Sequence, residues 1–135
     1  MKIIVCLDNR NGMLFNGRRQ SRDREVCQKI ADHTRGCRLW MNGYSSDLFR
    51  DISEEVLQDE SFLDLANSED YCFVENVDIV PYCHKISEII VFRWNRSYPG
   101  DVVFPLQITG KWKLTNSVEF PGNSHNLITM EVYTL

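Results

Sequence analysis

The chain has no apolar run approaching the roughly 20 residues that cross a bilayer. Its opening, MKIIVCLDNRNG, is too short an apolar stretch and reaches Asp8 too soon for a secretory signal. Cysteines spaced as CxxC are missing, and so are the HExxH and HxHxDH runs of metallohydrolases. The five cysteines (Cys6, Cys27, Cys37, Cys72 and Cys83) are odd in number and mostly set in apolar segments, the pattern of reduced, buried thiols. A zinc site of His33, Cys37, Cys83 and His84 can be drawn, but no spacing requires it, and no metal is expected. The default expectation is a cytoplasmic protein with no membrane partner.

Positive charge is missing from one long stretch. Residues 51–80 carry ten acidic side chains and no Lys or Arg, a net charge of −10. Residues 1–50 are net +5 and residues 81–135 net +1, leaving −4 for the chain. A region this negative repels nucleic acid and polyphosphates, so no nucleic-acid partner is expected. Internal repeats, low-complexity tracts and linkers are absent too. The 135 residues, 43% apolar and 25% charged, are expected to form one domain over 1–135. A chain of this size buries about two-thirds of its unfolded surface.

What is there reads as alternating strands and helices. KIIVCL, Lys2 to Leu7, is a continuous apolar run with β-branched residues at its centre, which predicts a buried strand ending at Asp8. Asn9 to Gly12 and Asn16-Gly17 are turn signals. Ser21 is placed to cap a helix with Asp23 and Glu25 in its first turn and Val26, Cys27, Ile30 and Ala31 on its apolar face, stopping near Gly36. Cys37 to Met41 is a second strand, Tyr44 to Ile52 a short helix, Glu60 to Asn67 another, Tyr71 to Asn76 a third strand. Val77 to Ile86 is a short helix or turn, and Ile89 to Trp94 a fourth strand. WKLTNSVEF and LITMEVYTL, joined by a PGNSH turn, form a closing strand pair. This order predicts an α/β domain with a mainly parallel sheet and an antiparallel C-terminal edge.

The stretch FNGRRQSRDRE places Arg18, Arg19, Arg22 and Arg24 within seven residues. They either grip an anionic ligand by bidentate contacts, or are solvated or pair with the acidic 51–80 block. Asp8, Asp23 and Glu75 are the carboxylates expected to approach one another at the carboxyl ends of the parallel strands, where open α/β sheets hold ligands. Asp8 also has a plain role as a turn residue, and Asp23 and Glu25 as helix-dipole partners. None of His33, His84 and His125 adjoins a Ser or Cys signature, so no nucleophile–base pair can be named.

Several of these residues carry a resemblance. SEIIVFRWNRSYPGDVVFP followed by WKLTNSVEFPGNSHNLITMEVYTL, with Gly100, Asp101, Phe104, Pro105 and Trp112 as markers, resembles the closing half of dihydrofolate reductases. The first strand ending in Asp8, the helix with an early carboxylate and the strand ending in Met41 are similar in layout. The resemblance implies a three-layer dihydrofolate reductase-like fold with a shortened adenosine-binding part. It makes Asp23 the candidate pterin-anchoring carboxylate, Glu25 the second candidate, and Asp8, Arg18, Arg19, Arg22, Met41, Ser45, Glu75 and Asn76 candidate ligand contacts.

The chain departs from the family pattern where NADPH would bind. Asn42-Gly43-Tyr44-Ser45 stands where the family has Gly-Arg-x-Thr, so the phosphate-binding arginine is gone. Glu75-Asn76 replaces the Gly-Gly pair that lets backbone approach the pyrophosphate. Arg19-Gln20-Ser21 replaces an apolar lid. The expected function is therefore a small-ligand-binding or interaction module that has lost standard NADPH-dependent reduction, with a protein partner or homodimer left open. The alternatives are a divergent NAD(P)H-dependent oxidoreductase acting on a pterin-like or anionic substrate, and a hydrolase using the arginine cluster and Asp23.

Overall fold

The computed structural model describes residues 1–105 and 111–135. Its centre is β1 (Lys2–Leu7), flanked in parallel by β6 (Tyr71–Phe73) and β7 (Glu88–Arg93), with Ile3 opposite both Cys72 and Ile89. Outward from β6 follow β4 (Leu39–Met41) and β5 (Val56–Gln58), both parallel. On the other side β7 pairs antiparallel with β10 (Ile128–Thr134), and β10 with β9 (Lys113–Phe120) at the edge. The order β5-β4-β6-β1-β7-β10-β9 is the mainly parallel sheet with an antiparallel C-terminal edge that the sequence predicts.

β1 is a continuous apolar run because both faces of the sheet are covered. Ile3, Val5 and Leu7 join Cys72, Ile89 and Val91 in one core, closed by Phe62, Leu63 and Phe104. Ile4 points the other way, to Phe73, Ile90 and Phe92. There α1 (Arg24–His33) lays Val26, Cys27 and Ile30 on the sheet. The period-2 alternation of a strand thus divides one hexapeptide between two cores.

A small second sheet sits beside the carboxyl end of β1. β2 (Gly12–Phe15) and β3 (Arg18–Arg19) form a hairpin with Leu14 opposite Arg19, and β8 (Val102–Val103) pairs with β2. The hairpin loop is Asn16-Gly17, both at positive φ (52° and 72°), as a two-residue type I′ turn requires.

Five local expectations change. Asp23, not Ser21, caps α1, because its carboxylate reaches the Glu25 amide at 2.9 Å. The helix stops at His33, three residues ahead of Gly36, and the Thr34 hydroxyl donates to the Ile30 carbonyl at 2.8 Å. The helix expected over Tyr44 to Ile52 is one α turn, α2 (Gly43–Ser46), running into a 3-10 turn, Asp47–Phe49. That expected over Glu60 to Asn67 is the single turn α3 (Phe62–Leu65), since only Phe62, Leu63 and Ala66 find the core. The acidic block also supplies β5, a strand with no alternation to announce it. Val80–Lys85 is a 3-10 segment, within the helix-or-turn expectation.

The hairpin turn gives a direct test. A Cβ added at Gly17 meets nothing within 4 Å, so Gly17→Ala carries only the backbone cost of a positive φ. Urea denaturation should show a loss of about 1 kcal/mol. An unchanged midpoint would contradict the turn assignment.

Candidate functional site

The carboxyl ends of the parallel strands carry Asp8, Asn42, Glu75 and Trp94, and two polar clusters form there. The first is built around Glu75, just past β6. Its buried carboxylate receives Arg19 in a fork, Nε to Oε2 at 2.8 Å and Nη2 to Oε1 at 3.0 Å. Ser45 Oγ donates to Oε1 at 2.8 Å. The Arg19 guanidinium lies 4.3 Å from the Tyr44 ring centre and donates to the Tyr44 carbonyl at 3.1 Å. The Tyr44 hydroxyl in turn accepts from the Arg19 amide at 2.8 Å. Hydrogen bonding to Glu75 raises the Arg19 pKa above its ordinary value. Beside this pair, Asn42 caps α2 through the Ser45 amide and donates to Asn76 Oδ1 at 2.8 Å. Losing either partner of such a pair leaves a charge stranded at low dielectric, typically costing about 3–5 kcal/mol.

The second cluster is built around Asp23, whose side chain is 0% exposed. Besides the Glu25 amide, it accepts the backbone N–H groups of Asn123 at 2.8 Å and Ser124 at 2.7 Å. His125 Nδ1 approaches Asp23 Oδ2 at 3.0 Å. Burial alone would push the Asp23 pKa up. The bonds from Asn123, His125, Ser124 and Glu25 outweigh it and hold the pKa below the usual carboxylate value. The His125 ring stacks on Trp94 with centroids 4.7 Å apart, and its Nε2 faces Tyr98 OH at 2.9 Å and Ser21 Oγ at 3.2 Å. Gly122 is what lets the β9–β10 turn come this close. A Cβ there would stand 2.6 Å from Asp23 Oδ2 and 2.7 Å from the His125 carbonyl.

Of the residues named from the sequence, Arg22, Asp23 and Glu75 border one narrow crevice of about 10 Å³, together with Cys6, Ser21, Cys27 and Trp94. That is close to the room one water needs. Asp8 does not join them. It closes its own turn, accepting from the Arg10 and Gly12 amides at 2.8 Å and from Gln20 and the Tyr98 amide at 3.1 Å. Burial of Asp8 opposes ionisation, but the Gly12, Arg10, Tyr98 and Gln20 bonds lower its pKa. Met41 is a core residue facing α1, and Ser45 is fully buried against Glu75. Glu25, Asn76, Arg18 and Arg22 are exposed. Arg19 pairs with the acidic block, while Arg18, Arg22 and Arg24 make no ion pair among the described residues.

A wider cleft of about 210 Å³ adjoins Asp23, with Arg22 and Arg24 on it together with Asp47, Asp51, Leu48 and Ile52. The thiols at the crevice are held neutral: burial raises Cys27 to about 12 and Cys6 well above its ordinary value. All five cysteines are free, and no metal-holding group of His, Cys, Asp or Glu occurs among the described residues. Nor is any helix among them long and apolar enough to cross a membrane.

His125, Tyr98, Trp94, Tyr44, Ser21 and Gly122 are the residues the sequence did not single out for this site. Gly122 and His125 showed only as members of the PGNSH turn, and Ser21, Tyr44 and Trp94 only by their places in a cap, a turn and a strand. Asp23 and His125 lie 102 positions apart, beyond any local spacing rule.

No known family model matches the chain, and no curated protein is similar to it in sequence. Among solved structures it is similar to dihydrofolate reductase from Enterococcus faecalis complexed with NADP(H) and RAB-propyl. The TM-score is 0.68 at 14% identity, over 98% of this chain and 94% of that one. At such identity the likeness is one of fold: this is a mixed α/β, dihydrofolate reductase-like domain.

The Asp23 cluster predicts a pH dependence. A carboxylate whose folded pKa is depressed contributes stability that is present above its unfolded value near 3.8 and lost as pH falls through the folded value. Asp23→Asn should cost about 3 kcal/mol in urea denaturation at pH 7, from the loss of several bonds to a charged acceptor. It should also flatten the acid limb of the stability curve. Parent-like stability and an unaltered acid limb would contradict the assignment.

Proposed function

We propose that this chain is a small-ligand-binding module on a dihydrofolate reductase-like scaffold that does not carry out NADPH-dependent reduction. The observation that carries this reading is the Arg19–Glu75 pair, stacked on Tyr44 and joined by Ser45. The similar enzyme is described in complex with NADP(H). A dinucleotide on this chain would bring its phosphates toward strand ends that carry a buried carboxylate.

The residues present do not fit that cofactor. Glu75 and Asn76 put side chains where a close backbone approach to pyrophosphate calls for glycine. The Ser45 hydroxyl and amide are both engaged, by Glu75 and Asn42. The Arg19 charge is neutralised by its own protein. A phosphate brought against Glu75 would have to displace that carboxylate from Arg19 to be held.

The ligand site on this reading is the 210 Å³ cleft over the start of α1. Arg22, Arg24 and Asp51 are without ion-pair partners among the described residues. Leu48 and Ile52 add apolar surface. Charges of both signs beside an apolar wall suit a compact amphoteric molecule, smaller than the drug-sized ligands that fill pockets of about 300–1,000 Å³.

Titration with NADPH and with NADH, followed by nicotinamide fluorescence and thermal shift, should give no saturable response. Saturable binding of either in the micromolar range would overturn the proposal.

A further inference from the structure

Ser21, His125 and Asp23 stand in a particular chemical order. A hydroxyl faces one ring nitrogen of an imidazole at 3.2 Å, and a buried carboxylate faces the other at 3.0 Å. With Asp23 ionised, the Nδ1–H of His125 is the donor toward it, which leaves the Nε2 lone pair to accept a proton. The amides of Asn123 and Ser124 and the helix cap at Glu25 fix the carboxylate, and Trp94 fixes the plane of the ring. The requirements for an activated nucleophile are a base within hydrogen-bond reach and a third group that orients the base. Both are met, by residues from the β3–α1 junction and the β9–β10 turn.

We propose that Ser21 is the nucleophile of an acyl-transfer site, with His125 as its general base and Asp23 as the positioning carboxylate, acting on esters of small acyl groups. It goes beyond the ligand-binding reading, with which it shares only the 210 Å³ cleft. Ser21 is half-buried on the same crevice as Asp23, whose room for about one water limits the acyl group to the smallest. Arg22, which follows it in the chain, lines both the crevice and the 210 Å³ cleft. The cleft is left for the alcohol portion, with the exposed Arg22 at its edge.

In the first step Ser21 Oγ forms a bond to the ester carbonyl carbon, its proton passes to His125 Nε2, and the carbonyl π pair moves onto oxygen. Collapse breaks the bond to the alcohol oxygen, which takes the proton from His125. Water then adds to the acyl-serine by the same route, releasing the acid and returning the proton to Ser21. Ester and water become acid and alcohol, with no oxidant or further reactant.

Tyr98 shares Nε2 at 2.9 Å and competes with Ser21 for the lone pair. A structural clasp would contain the same bonds, so the test must read reactivity. The full chain is incubated with a fluorophosphonate, adducts are located by mass spectrometry, and hydrolysis of 4-nitrophenyl acetate is followed in parallel. The expected result is an adduct on Ser21 in the folded protein and none on Ser21 in urea. Ser21→Ala leaves every bond to Asp23 in place, so it should melt like the parent while losing the adduct and at least tenfold of the hydrolysis. No Ser21 adduct, an adduct that also forms in urea, or hydrolysis unaffected by Ser21→Ala would overturn the proposal.

Discussion

The Asp23 carboxylate is the constraint on which this end of the molecule depends. It is fully removed from solvent and takes donors from two parts of the chain: the first turn of α1 and the turn between β9 and β10. A buried anion left alone costs far more than one hydrogen bond returns. The helix start and the C-terminal turn must therefore meet. Gly122 makes the approach sterically possible, Trp94 and Tyr98 close the remaining sides of His125, and the edge hairpin is tied to the body of the domain.

A second carboxylate shows how the same scaffold handles charge at the strand ends. Glu75 belongs to a segment without a single Lys or Arg. Its counter-charge comes from the basic first third of the chain, through Arg19 at the end of the β2–β3 hairpin. The hairpin turn thus has an electrostatic consequence, since Asn16-Gly17 sets the register that leaves Arg19 over Tyr44 and Glu75. Other acidic side chains of the block also meet local donors: Glu60 takes the Gly43 amide, Asp64 the Tyr82 hydroxyl, and Asp70 the Trp40 indole. These neutral donors satisfy hydrogen bonds without cancelling charge; among the described residues the ion pairs to the block are Arg19–Glu75 and that of Lys2 with the exposed Glu69.

Much of the fold was legible because it rests on local pattern. KIIVCL could be read as a doubly covered strand from its unbroken apolar run, and the closing strand pair from its β-rich segments and Pro-Gly turn. Asn16-Gly17 announced its own backbone geometry. β5 was not legible, because Val56, Leu57 and Gln58 sit at an edge inside an acidic segment and carry no alternation. The helix over 60–67 was overestimated, because its apolar residues serve one turn and Leu65 stays exposed. At the site, Asp23 was found from its place at the start of α1, but its partners were hidden. A histidine in a turn 102 positions away gives no periodic signal, and whether an aspartate faces solvent or a second segment is decided only by tertiary packing. Regional charge hinted at a pairing between the arginines and residues 51–80. That Arg19 rather than Arg18, Arg22 or Arg24 would pair with Glu75 follows from hairpin register.

Native-state hydrogen exchange at Asn123 and Ser124 tests the Asp23 constraint most directly. Both residues are exposed in a turn, where amides ordinarily exchange quickly. If their N–H groups are held by the buried carboxylate, they exchange slowly, at rates near those of the β7 and β10 amides. Exchange as fast as in an open surface turn would contradict the account.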